Sequence, residues 1–118
     1  MSLSNAENHS QAAVVSGGLV FCSGTLGIDP AIGKAPESAA DQAEQALVNL
    51  ARVLSESGSE MRQLVKTTIY YVSTADFAAI NQAYARHMPD PPPARSAVPC
   101  SALPGGLLFC IDAIAARR

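Results

Sequence analysis

The spacing of apolar residues changes period along this chain, and that change constrains the fold more tightly than any other feature. From Ser38 to Ser57, Ala39, Ala43, Ala46, Leu47, Leu50, Val53 and Leu54 fall at steps of three and four. That is the repeat of a single helix face. Ser38 with Asp41 three residues on resembles a capping arrangement, and Gly58 stands where such a helix would stop. The opposite face carries Asp41, Gln45, Asn49, Arg52 and Glu56.

On both sides of this segment the pattern is that of strands. "AAVVSGGLVFCSG" (12–24) holds two short apolar runs separated by "SGG", a hairpin punctuation. "LVKTTIYYVS" (64–73) is dense in β-branched and aromatic residues. Thr74 is expected to cap a second helix over roughly 75–88, with Asp76 in its first turn. Phe77, Ile80 and Tyr84 form its inner stripe, continued by His87 or Met88, and "PDPPP" ends it. "ARSAVPCSALP" and "GGLLFCIDAIAARR" read as two further strands, with "LPGG" expected to fold one back against the other.

The order β-β-α-β-α-β-β predicts an α+β fold: a single domain over 1–118, with one sheet and two helices packed on one face. "GLLFCIDAIA" is almost continuously apolar, so this strand is expected to be buried on both sides. A sheet with helices on only one face achieves that by meeting other subunits. The low share of charged residues, 15%, points the same way.

The net charge of −2, with no basic cluster beyond the final "ARR", argues against a nucleic-acid partner. No apolar run approaches the roughly 18 residues of a membrane span, and "MSLSNAENHS" has neither region of a signal peptide. The expected location is cytoplasmic. Cys22, Cys100 and Cys110 cannot all pair, and with two histidines their spacing matches no zinc site. They are read as free thiols, with no metal site.

On a strand, residues two apart share a face. Cys110 and Asp112 therefore point one way, and Phe109, Ile111 and Ala113 the other. A carboxylate in so apolar a strand needs a partner. Arg95 is the expected one, entering its strand after three prolines that hold the backbone near polyproline II. Left unpaired, its fork would instead grip a carboxylate ligand through two parallel hydrogen bonds. No serine triad surrounds His9 or His87, no G-x-G-x-x-G is present, and no base is placed beside a cysteine.

With these elements placed, the chain resembles the RidA/YjgF family of reactive-intermediate deaminases over nearly its whole length. "PPPARSAV" resembles the family's Pro-Ala-Arg-Ser segment and is followed by "ALP" and a closing "IDAIAARR". "FCSGTLGIDPAIGK" resembles its Ser-Gly stretch and Pro-x-x-Gly loop, and "LVKTTIYYVSTADFAAINQAY" its strand and second helix. The resemblance implies a fold like that of chorismate mutase, assembled as a homotrimer with clefts between subunits. It also implies hydrolysis of small 2-imino acids and their enamine tautomers to 2-oxo acids and ammonia, without metal or organic cofactor.

Carried over position by position, the family's carboxylate-binding arginine is Arg95, its cleft serine Ser23 with Gly24 beside it, and its helix asparagine Asn81. Three positions depart. His9 stands where the family has tyrosine, Ala97 where it commonly has cysteine, and Cys110 where it has the glutamate that orients the attacking water. Asp112 matches a different acidic position. Hydrolysis of an iminium needs a positioned base for that water, and three readings of Cys110 follow. It is a packing residue, or it stands in a site where backbone carbonyls, His9 or Asp112 handle water, or it is a nucleophilic thiolate. The alternative to a deaminase is a non-catalytic, small-carboxylate-binding or regulatory trimer. Hydrolysis of another C–N compound, such as an aminoacrylate, fits the same residues.

Overall fold

The computed structural model describes residues 12–118, so His9 lies outside the described residues. The chain runs β1 (Ala13–Ser16), β2 (Leu19–Leu26), α1 (Ala39–Glu56), β3 (Leu64–Tyr71), α2 (Phe77–His87), β4 (Ala94–Pro99) and β5 (Phe109–Ala116). The strands form one mixed sheet in the order β1-β2-β5-β3-β4. All neighbours are antiparallel except β3 and β4, which run parallel. The two helices cover one face, the expected α+β arrangement of the chorismate-mutase type.

Local chemistry explains the elements. Gly17 and Gly18 close the β1–β2 hairpin at φ 60° and 81°, a conformation that side chains resist. Ser38 caps α1, its hydroxyl accepting from the Asp41 N–H at 3.1 Å. The apolar stripe of α1 enters the core as read, with Leu47, Leu50 and Leu54 fully buried against Val20, Ile69, Phe109 and Ile111.

Asn49, read as an exposed polar residue, is instead buried. Its amide donates to the carbonyls of Leu26 and Ile28, at 2.9 Å each, and so ties the end of β2 to the helix. Gln42 acts likewise, donating to the Pro36 carbonyl and accepting from the Leu108 N–H, both at 2.8 Å. Both side chains give hydrogen-bond partners to backbone in the segments that pack against the helix.

The second helix starts later than expected. Thr74–Asp76 form a 3₁₀ turn, and the Ser73 hydroxyl rather than Thr74 caps it, accepting from the Ala75 N–H. Met88 packs on the core, whereas His87 leaves the inner stripe and bonds Glu44 of α1 through Nε2 at 2.6 Å.

One expectation about the last strands is overturned. β4 does not fold back on β5. It lies at the sheet edge beside β3, because a strand–helix–strand crossover returns the chain parallel to its first strand. "LPGG" forms a tight turn at Pro104–Gly106, with Gly105 and Gly106 at φ 67° and 70°, and the stretch 100–108 carries the chain across to the middle of the sheet. β5 is buried on one face only within the chain: Phe109, Ile111, Ala113 and Ala115 are buried, while Cys110, Asp112 and Ile114 are half-buried on the uncovered face.

Candidate functional site

Arg95 stands on the edge strand β4, opposite Thr67 of β3. Its side chain turns toward α2, where Nη1 donates to Asn81 Oδ1 at 2.6 Å. The guanidinium lies 4.9 Å from the centroid of the Tyr84 ring and 5.9 Å from that of Phe77, placing it against two π faces. Tyr84 is held in turn: its hydroxyl and that of Thr67 share a buried hydrogen bond of 2.6 Å. Burial, the larger effect, raises the Tyr84 hydroxyl pKa, against the opposing Thr67 bond and Arg95 charge. Arg95 is thus exposed but oriented, the condition under which its fork recognises an anion.

Asp112 and Cys110 occupy the other face of the sheet. Their strand partners there are Thr68 and Tyr70, in line with Lys66. Asp112 accepts from the Tyr70 hydroxyl at 3.2 Å, so the expected Arg95–Asp112 pair does not form. The sheet itself separates the two side chains. Burial, then the neighbouring Asp112 charge, push the Cys110 thiol up to about 11. A thiol raised in this way forms the thiolate that the third reading requires less readily. Lys66 Nζ donates to Thr68 Oγ1 at 3.1 Å and to Ser96 Oγ at 3.2 Å.

A bulge between Cys22 and Thr25 brings the Ser23–Gly24 backbone to this same face. A Cβ on Gly24 would stand 2.9 Å from Cys110 Sγ, so only glycine leaves the thiol its place. Ser23 donates to the Ala12 carbonyl from its N–H at 3.0 Å and from its hydroxyl at 3.3 Å. Phe21, Ser23, Lys66, Thr68, Asp112 and Ile114 line a cavity of about 320 Å³. Two groups therefore emerge: Arg95 with Asn81 on one side of the sheet, and Ser23, Gly24, Cys110 and Asp112 on the other.

Tyr70, Lys66 and the anchoring role of Tyr84 were not singled out in the sequence. Lys66, Thr68 and Tyr70 alternate at strand period, but only the pairing of β3 with β5 shows that they meet Asp112. The three cysteines are free thiols. Among the described residues, no group of three or more His, Cys, Asp or Glu side chains could hold a metal ion. No helix among them is long and apolar enough to cross a membrane.

The fold and these residues define an α+β protein with an oriented, exposed arginine on the edge strand of its sheet. The family model described as Endoribonuclease L-PSP matches residues 1–117, and the chain belongs to that family, which includes the RidA/YjgF proteins. It is 43% identical over 104 residues to the chloroplastic Reactive Intermediate Deaminase A of Arabidopsis thaliana, an alignment covering 87% of this chain and 56% of that protein. The chain thus spans little more than half the length of that relative. It is 36% identical over 110 residues to the 2-iminobutanoate/2-iminopropanoate deaminase of Rattus norvegicus, covering 92% of this chain and 80% of the relative. The crystal structure of RidA from the Antarctic bacterium Psychrobacter sp. PAMC 21119 superposes with a TM-score of 0.89 at 32% identity, covering 94% of this chain and 90% of that one.

Proposed function

We propose that this chain hydrolyses small 2-imino or enamine carboxylic acids to 2-oxo acids and ammonia, in clefts between the subunits of a homotrimer. The observation that carries the reading is Arg95, held by Asn81, Tyr84 and Phe77 with its guanidinium exposed. Relatives named as reactive-intermediate and 2-iminobutanoate/2-iminopropanoate deaminases supply the reaction class. The sheet lies between Arg95 and the group of Ser23, Gly24, Cys110 and Asp112, so one small substrate cannot touch both in a single chain. That division supports a cleft to which one copy contributes Arg95 and Asn81, and a second copy the other four residues.

In this mechanism the carboxylate of the substrate sits on Arg95, fixing the imine carbon in the cleft. Water adds to that carbon and its proton passes to Asp112, a carboxylate oriented by the Tyr70 hydroxyl. The carbinolamine then collapses: Asp112 returns the proton to nitrogen, the C–N bond breaks as the hydroxyl oxygen forms the carbonyl, and the hydroxyl proton passes back to Asp112 and on to the departing ammonia, which leaves as ammonium beside the 2-oxo acid. Cys110, a neutral thiol over the Gly24 backbone, packs the floor of the site.

The test is to generate 2-iminopropanoate in situ and follow its loss with and without protein. The expected result is acceleration by the wild type, abolished in Arg95→Ala at unchanged thermal stability. A second reading, a carboxylate-binding trimer without catalysis, is favoured by one observation, the neutral thiol at the position of the family's water-orienting glutamate. Acceleration by Cys110→Glu but not by the wild type would show that this chain is not itself that deaminase and would favour the second reading.

A further inference from the structure

A separate cavity of about 460 Å³ opens beside Arg95, between α2 and the proline segment. Its walls include Tyr84, Met88, Pro92 and Pro93, with Asn81 and Arg95 at one end. The Tyr84 ring serves two sites at once, supporting the guanidinium at 4.9 Å and forming a wall of this apolar space. A carboxylate gripped by Arg95 therefore has a largely apolar groove immediately next to it. The volume falls in the range of pockets that enclose whole organic ligands, about 300–1,000 Å³, far beyond what the methyl group of a three-carbon imino acid fills.

The lining also says what kind of tail fits. The prolines are rigid and keep the space preformed, so little ordering is needed on binding. Met88 adapts its shape to irregular apolar groups. Asp90, an acidic group lining the cavity, disfavours a second carboxylate there.

We propose that this cavity is the side-chain subsite, and that it selects acids with a branched or long uncharged apolar side chain over the three-carbon parent and over dicarboxylic acids. The inference rests on the reading of Arg95 as the carboxylate anchor and names the substrate class for that site. With the carboxylate on Arg95, the apolar tail enters between Tyr84, Met88 and Pro92, while the imine carbon faces the cleft.

Calorimetric titration with unreactive 2-oxo acids tests this without depending on catalysis. The wild type is expected to bind 4-methyl-2-oxopentanoate at least ~10-fold more tightly than 2-oxopropanoate, and 2-oxopentanedioate more weakly than 4-methyl-2-oxopentanoate. Ala85 also lines the cavity from an exposed position on α2, and leucine is a good helix former there. Ala85→Leu, its folding checked by thermal melting, should bring the ratio of the two monocarboxylate affinities close to one by filling the space. Equal affinities in the wild type, or a ratio that Ala85→Leu leaves unmoved, would overturn the proposal. A wild type that keeps the affinity ratio but fails to accelerate loss of any imino acid would sink the deaminase reading and leave this subsite standing.

Discussion

The helix-covered face of the sheet is filled by apolar side chains around a buried polar pair, Thr67 and Tyr84. The uncovered face sets Lys66, Thr68, Tyr70, Cys110 and Asp112 beside apolar neighbours such as Phe21, 41% exposed, and Val98, 39% exposed. The same strands build both, since alternate residues point to opposite sides. A face shaped only for solvent would not hold Phe21 and Val98, and one shaped only as a core would not hold Lys66 and Asp112. The covered face therefore stabilises the chain and orients Arg95 from behind. The uncovered face has the mixed polar and apolar character found at protein–protein interfaces.

The sharpest way to break this comparison is to truncate matched residues of β5. Ile111→Ala, on the covered face and fully buried, is expected to cost ~2–5 kcal/mol in urea denaturation. Ile114→Ala, half-buried on the other face, should cost less than half as much, and its cost should depend on protein concentration. Equal, concentration-independent losses would erase the distinction between the faces.

A smaller effect is expected at the polar pair. Tyr84→Phe leaves the buried Thr67 hydroxyl without its partner, at a cost of about 1–3 kcal/mol. Adding Thr67→Val should restore part of it in a double-mutant cycle. Additive losses in that cycle would mean that the two hydroxyls are not coupled.

Below this comes an alkaline effect from Cys22. Burial pushes its thiol from the ordinary 9.0 to about 11. A raised pKa in the folded state favours the protonated form, so this contribution is complete below pH 9 and is lost as pH rises toward 11. Stability measured across that window should fall, and Cys22→Ala should flatten the slope. An unchanged slope would assign the alkaline loss to other groups.

The smallest expected effect lies at the surface pairing of Glu44 with His87 and Arg86, at 2.6 and 3.1 Å. The His87 hydrogen bond, the larger cause, and the Arg86 bond lower the Glu44 pKa below its ordinary 4.5. Its contribution is therefore present above pH 4.5 and is lost as pH falls through the lowered value. Glu44→Gln should change stability at pH 7 by no more than about 1 kcal/mol, and by less at pH 3. A larger loss would place this pair among the principal supports of the fold.

Much of the fold was legible where local pattern and tertiary environment agree. The reading of Ser38 to Ser57 anticipated α1 almost to the residue, since its apolar stripe and its cap are encoded within twenty neighbours. Arg95 was legible because three prolines and an arginine in an otherwise weakly charged chain form a conspicuous joint. Asn49 was misread because a polar residue on an amphipathic helix is ordinarily solvated, and only the arriving loop carbonyls of Leu26 and Ile28 make its burial favourable. Tyr70 went unnoticed because its partner, Asp112, lies forty-two positions away.

The sequence by itself determined the order and kind of the elements, the faces of α1 and β5, and the prominence of Arg95, because each follows from interactions between near neighbours. Only the tertiary structure decided that β5 enters between β2 and β3 and that β4 stays at the edge. That choice is made by burying the most apolar strand centrally and by the parallel return of the β3–α2–β4 crossover. It sends Arg95 and Asp112 to opposite sides of one sheet, so the expected ion pair does not form and Asp112 pairs with Tyr70 instead.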